Sequence, residues 1–163
     1  MIVVTDSTPI ISLAKIDKLH LLRDIFGKIY VPSAVYEEIV VKGKDRPGCK
    51  EIKEAQWVAS KEVSNITSQK HLLSHLDQGE AEVILLADEL NADLVIMDER
   101  KGYEVLANLL NIKVIGTIAI LSMAKDLGLI ENIKPYLDKM KAKGVWIDDQ
   151  IYAISLKDVN ELP

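Results

Sequence analysis

Asp77-Gln78-Gly79-Glu80-Ala81-Glu82, the helical run that continues to Leu90, and then Leu94-Val95-Ile96-Met97-Asp98 decide how this chain is read. The helix is apolar on most sides, through Ala81, Ile84, Leu85 and Ala87, and is expected to be well buried. Asn91 is placed to close it in a left-handed cap. The short apolar run that follows reads as the central strand of a sheet and delivers Asp98 at its end. An acid at a helix start and an acid at a strand end are two halves of a device for holding a hard cation. Asp-x-Gly-Glu ahead of a helix is also a good capping sequence. The stretch therefore gains chemical meaning only if other segments deliver acids to equivalent positions.

They do. Ile2-Val3-Val4 reads as a buried strand, and Asp6 follows it. Ser7-Thr8-Pro9 then opens a helix, with a hydroxyl residue ahead of a proline in the first turn. Asp6 thus stands at a strand-to-helix junction, at the edge where open α/β sheets bind ligands. A second helix is expected over Asp17–Phe26, ended by Gly27. A strand Ile29–Val31 follows, stopped by Pro32, and a third helix over Ala34–Val41. Within it Glu37 and Glu38 point about 100° apart. Glu38, next to Ile39 and three residues from Val35, falls at the boundary of the buried face. Glu37 faces solvent.

Beyond a charged loop at 42–48, the pattern predicts a short helix from Cys49 to Ala55 and a strand around Trp57–Ala59. It then predicts a helix over Arg100–Leu110, a last strand over Ile112–Ile115, and a turn at Gly116-Thr117. Three helices finish the chain, over Ile118–Asp126, Ile133–Lys143 and from Asp148 or Asp149 to Lys157. Ile66–Leu76 gives no firm element. His71 and His75 have zinc spacing, yet no third ligand accompanies them and no zinc is expected. Trp57 and Trp146 are read as packing residues. Arg100 and Lys101 suit either substrate phosphate or a solvated helix start.

With 163 residues, one domain is expected, with a core over about 1–127 and a helical extension over about 128–163. A hydrophobic content of 48% suffices for a buried core, and 5% aromatics make that core aliphatic. The single Cys49 excludes an internal disulfide and a Cys-rich zinc site. It fits a reducing cytoplasm, the expected location. No leader and no membrane-spanning run is apparent. A net charge of −5 speaks against a nucleic-acid binder that works by bulk positive charge. It leaves room for a nuclease whose acids are balanced by cations. A Gly-rich phosphate loop of the P-loop or dinucleotide type is missing, which ranks a phosphatase or nucleotide-binding protein low.

Strands alternating with helices predict a parallel sheet of about five strands with helices on both faces. Asp6, Glu38, Glu80 and Asp98 then come to one edge from four segments. Burying such a group of like charges is costly unless a cation balances it. Mg²⁺ or Mn²⁺ suits oxygen ligands of this type, and the matching chemistry is metal-assisted phosphodiester hydrolysis.

Val4-Thr5-Asp6-Ser7-Thr8-Pro9-Ile10-Ile11, Val31-Pro32-Ser33-Ala34-Val35-Tyr36-Glu37-Glu38-Ile39, the Asp77-x-Gly-Glu-Ala-Glu helix start and Val95-Ile96-Met97-Asp98-Glu99-Arg100-Lys101-Gly102 together resemble the PIN-domain family. The Asp77-x-Gly-Glu-Ala-Glu form, with Gly116-Thr117 and the long helical tail, is similar to a branch of predicted nucleic-acid-binding PIN proteins related to VapC-type toxins. The match covers about residues 1–127. This resemblance implies a Rossmann-like three-layer fold and a metal-dependent ribonuclease that cuts single-stranded RNA. It implies Asp6, Glu38, Glu80 and Asp98 as the metal-holding acids, with Asp77 and Glu82 as alternatives at the third position, where the family usually has Asp. Thr8 stands where the family orients its first acid. An antitoxin partner and a homodimer are implied as well. A PIN-fold binding or interaction module that no longer cleaves is the alternative.

Overall fold

The computed structural model describes residues 1–64, 67, 71, 74 and 76–161. The histidine pair considered above includes His75, which lies outside the described residues, as does most of 66–76.

Five short strands form one sheet: β1 (Val3–Thr5), β2 (Ile29–Pro32), β3 (Val58–Lys61), β4 (Leu94–Ile96) and β5 (Lys113–Ile115). Every neighbouring pair is parallel, in the order β3-β2-β1-β4-β5. All residues of β1 and β4 are buried. Successive strand residues point to opposite faces, so both faces of the sheet's centre are covered. This is why the two strands read as unbroken apolar runs rather than as alternations. The α/β fold expected from the sequence is the one observed.

The strand order reverses direction at β1. The chain first steps outward through β2 and β3, then returns to place β4 on the other side of β1. The crevice beyond the carboxyl ends of β1 and β4 is therefore the topological switch point, where open α/β sheets bind ligands. Thr5 pairs with Ile96 in the β1–β4 register, so Asp6 and Asp98 leave adjacent strands within a residue or two of each other.

The helices over the sheet are α1 (Ser7–Lys15), α2 (His20–Phe26), α3 (Ser33–Tyr36), α4 (Cys49–Glu54), α5 (Gln78–Glu89), α6 (Arg100–Asn108) and α7 (Thr117–Asp126). The tail adds α8 (Lys134–Ala142) and α9 (Asp149–Asp158). α5 lies against β1, β2 and β4 and also touches α3 and α6, while α7 packs on α1 and α2. Residues 81–87 of α5 are buried without a break, as its all-round apolar sequence requires. Asn91 adopts φ 50° just past its end.

Two helices depart from the sequence reading. α2 begins at His20 rather than Asp17, because Asp17 takes φ 56° and cannot continue a right-handed helix. The expected helix over Ala34–Val41 is instead a single α turn followed by a π-helical segment, Glu37–Lys42. Gly43 closes it, since a side chain there would meet the Ile39 and Glu38 carbonyl oxygens at 2.7 and 2.9 Å.

The tail is tied to the core by apolar contacts and by ion pairs, Lys125 with Glu161 and Lys139 with Asp17. Ile133, Leu137, Met140 and Leu156 belong to the same buried cluster as the strands. Glu161 accepts from the Ile133 and Lys134 amides at 2.8 and 3.0 Å and from Lys125 Nζ at 3.0 Å. Burial pushes its carboxyl up, but these three donors outweigh that and hold it below the usual range.

Candidate functional site

Among the described residues, the buried polar and charged side chains are Thr5, Asp6, Ser7, Ser12, Glu82 and Thr117. Thr5, Asp6 and Ser7 run from β1 into α1. Thr117 opens α7, Glu82 lies in the second turn of α5, and Ser12 is on α1. Polar groups are costly to bury, so their concentration beside the switch point makes that place the candidate site.

Asp6 is the most constrained. It is the N-cap of α1, with Oδ1 accepting the Ser7 amide at 2.8 Å. Its own N–H donates to the Ile96 carbonyl at 3.0 Å and locks it to β4. Only 5% of the residue is exposed. Its carboxyl is pushed up from 3.8 to about 7, chiefly by burial. The Ser7 amide acts the other way, and the charges of Glu80, Asp77 and Glu38 add to the rise. Ionising Asp6 in place costs on the order of 4 kcal/mol over an ordinary Asp. The charges that weigh most on it are all negative.

Asp77 and Glu80 are both committed to the start of α5. Asp77 Oδ1 accepts the Glu80 amide at 2.8 Å, and Glu80 Oε2 accepts the Asp77 amide at 3.2 Å, a complete capping box. The capping reading is thus true of both residues. Glu80 is raised above its ordinary value by partial burial and by the charges of Asp77 and Glu99, against the Asp77 amide. Gly79 leaves room between two acids. A side chain there would begin 3.5 Å from Asp77 Oδ1 and 3.5 Å from Glu38 Oε2. Those oxygens are consequently no farther apart than twice that distance.

Glu38 is exposed rather than at the edge of a buried face. It reaches Gly79 from the π-helical segment. Such segments are rare and occur frequently at functional sites. Glu37 is exposed, as expected.

Asp98 is held differently. Oδ1 accepts the Thr117 amide at 2.8 Å, and Oδ2 accepts the Thr117 hydroxyl at 2.6 Å. Gly116 permits this approach, since a Cβ there would stand 2.7 Å from Asp98 Oδ1. Asp98 is exposed and is not among the main charges acting on Asp6. It lines a cleft of about 510 Å³ together with Thr8, Lys15 and Thr117. The Ser7 amide, and not the Thr8 hydroxyl, holds Asp6. Thr8 instead faces the Asp98 side of the site.

Glu82 has a different task. It is 6% exposed. Oε1 accepts the Ala34 amide at 3.2 Å, and Oε2 accepts Gln78 Nε2 at 2.9 Å. It fastens the start of α3 to α5 and so sets where Glu38 begins. Its one legible signal was an acid within an otherwise apolar stretch of helix. Thr117 was legible only as part of the Gly116-Thr117 pair that carries the family resemblance, and was given no role in the site.

The structure thus brings Glu38, Asp77 and Glu80 to bear on Asp6, and sets Asp98 beside them with its oxygens on Thr117. Among the described residues no three His, Cys, Asp or Glu side chains form a ready-made metal cluster. In donor chemistry the acids suit a hard divalent cation, which takes oxygen ligands and retains waters. A cation held there would favour the Asp6 carboxylate over its protonated form.

A parallel α/β sheet with strand-end acids at its switch point defines the class. Residues 2–161 match the family model DUF3368, a PIN domain, and the chain belongs to the PIN-domain family. PIN domains are typically metal-dependent nucleases, and a nuclease-type function is the general expectation for this chain. Comparison with curated proteins gives no match. Among the described residues no helix is long and apolar enough to cross a membrane.

Proposed function

We propose that this protein is a Mg²⁺- or Mn²⁺-dependent endoribonuclease that hydrolyses phosphodiester bonds of single-stranded RNA in the cytoplasm. We read it as the VapC-type toxin of a toxin–antitoxin pair, working as a homodimer. Residues 1–127 carry the chemistry and 128–163 extend the same domain. The observation that carries this reading is Asp6, buried and pushed up to about 7 at the switch point of a PIN fold. A cation beside such an acid favours its carboxylate form.

Asp6, Glu38, Glu80 and Asp98 would hold the metal. When bound, the cation supplies Lewis acidity toward the scissile phosphate and makes an attacking water more acidic. The protein's own groups do the positioning. The Ser7 amide fixes Asp6, Thr117 fixes both oxygens of Asp98, the capping box with Asp77 fixes Glu80, and Glu82 sets the start of α3. Thr8, beside Asp98 in the cleft, is placed to touch substrate.

Cleavage of a labelled single-stranded RNA by purified protein with Mn²⁺, compared with Asp6→Asn, tests the proposal. Equal cleavage by the variant would refute it. The second reading, a binding module without cleavage, draws on the two Thr117 bonds that occupy Asp98. Calorimetric titration with Mn²⁺ against Glu80→Gln separates the two. Absence of binding at millimolar metal favours the module.

A further inference from the structure

The sequence assigned Trp146 to packing, and the structure overturns that: the residue is 83% exposed. Large aromatic side chains are rarely left so bare. The loop that presents it is not a loose end. Gly144 takes φ 88°, and the Val145 amide donates to the Met140 carbonyl at 3.0 Å. On the other side Asp148 Oδ1 accepts the Gln150 and Ile151 amides at 2.8 and 3.2 Å and caps α9. Trp146 is thus held out by a loop anchored at both ends.

Its location is specific. Trp146 lines the same cleft as Asp98, Thr117 and Thr8. Ile11 and Ile118 give the cleft an apolar wall, and Lys15 supplies a cation. At about 510 Å³ it falls within the range that holds one small ligand. An aromatic face, an apolar wall and a cation beside the strand-end acid Asp98 match the parts of one nucleotide. A base stacked on the ring would leave its phosphate toward Lys15. Stacking on aromatic side chains is the usual way proteins grip unpaired bases.

We propose that the Trp146 indole is the stacking platform for an unpaired base of the RNA substrate, one or two nucleotides from the bond that is cut. This rests on the reading of the chain as a ribonuclease acting on single strands. It assigns the tail a direct part in substrate recognition. Duplex RNA, whose bases are already stacked, would be a poor ligand.

The test uses full-length protein in the Trp57→Phe background, so that Trp146 is the only fluorophore of its kind. Short single-stranded RNA titrated in EDTA should quench the emission, and duplex of the same sequence should not. Trp146→Ala should weaken single-strand affinity about 5- to 150-fold, and Trp146→Phe should recover most of it. With Mn²⁺, the loss should appear in KM rather than in kcat. Unchanged affinity and KM in Trp146→Ala would overturn the proposal even if cleavage is confirmed. Quenching without any cleavage would uphold the platform and refute the hydrolase. A second copy of the chain seated on Trp146 would show as a dimer lost in Trp146→Ala with RNA affinity intact, and would also overturn it.

Discussion

Two aspartates end neighbouring strands of one sheet, and each accepts an amide from the start of a helix. Asp6 takes the Ser7 amide of α1, and Asp98 takes the Thr117 amide of α7. There the likeness stops. Asp6 is buried, meets one donor and faces three other acids. Asp98 is exposed and has donors on both oxygens. The helix N-terminus does not keep Asp6 in the ordinary carboxylate range. The charges that surround it and its access to water decide.

The sharpest break comes from Asp6→Asn. Cleavage of single-stranded RNA should fall by about 100-fold or more. The metal-free variant should nevertheless be more stable than wild type at pH 8, because the desolvated charge is gone. Thermal melts in EDTA at pH 4 and pH 8 read this directly. The folded protein keeps on Asp6 a proton that the unfolded chain has already lost. Its contribution to stability is therefore full below about pH 4 and is lost as pH rises toward about 7. The variant should lack that slope. Mn²⁺ should reduce it in wild type.

Gly116→Ala probes the other aspartate. The added methyl would meet Asp98 Oδ1 at 2.7 Å, and Asp98 must leave Thr117. Activity should fall about 10- to 100-fold while the circular dichroism spectrum is retained. Thr117→Val keeps the amide bond and the branched shape but removes the hydroxyl. It should cost about 10-fold in rate and about 1–2 kcal/mol in stability, measured by denaturant titration. Glu38→Gln should have the smallest effect on folding. It removes one of the charges that raise Asp6, so the Asp6 titration followed by carboxyl NMR should move downward.

The contrast also shows what a sequence can reveal. Asp6 and Asp98 were legible because strands buried on both faces read as apolar runs, and an acid that ends such a run stands out. The capping box of Asp77 and Glu80 was legible for local reasons. The tie between Asp98 and Thr117 was not, since it joins residues 19 apart through a turn whose direction depends on β5. The π-helical segment was hidden because Glu37–Lys42 has the composition of an ordinary helix, and only the close approach at Gly43 sets it apart. Trp146 was misread because residue type argues for burial, whereas the anchored loop that holds it out is a tertiary fact. Glu82 was taken for a spare ligand because its partner, the Ala34 amide, lies 48 residues away.

The place of β1 at the centre of the sheet has a consequence for the order of events in synthesis. β1 finds its first neighbour, β2, soon after it emerges, but its other neighbour is β4. The Thr5 hydroxyl and the Ile96 carbonyl that it approaches are 91 residues apart. Pairings this distant are slow to form, and until then one side of an apolar strand stands open. The seam between β1 and β4 is also where Asp6 and Asp98 come together. A nascent chain that has not reached residue 98 cannot present both acids, and the ribosome has made well over half the protein before the proposed site can exist.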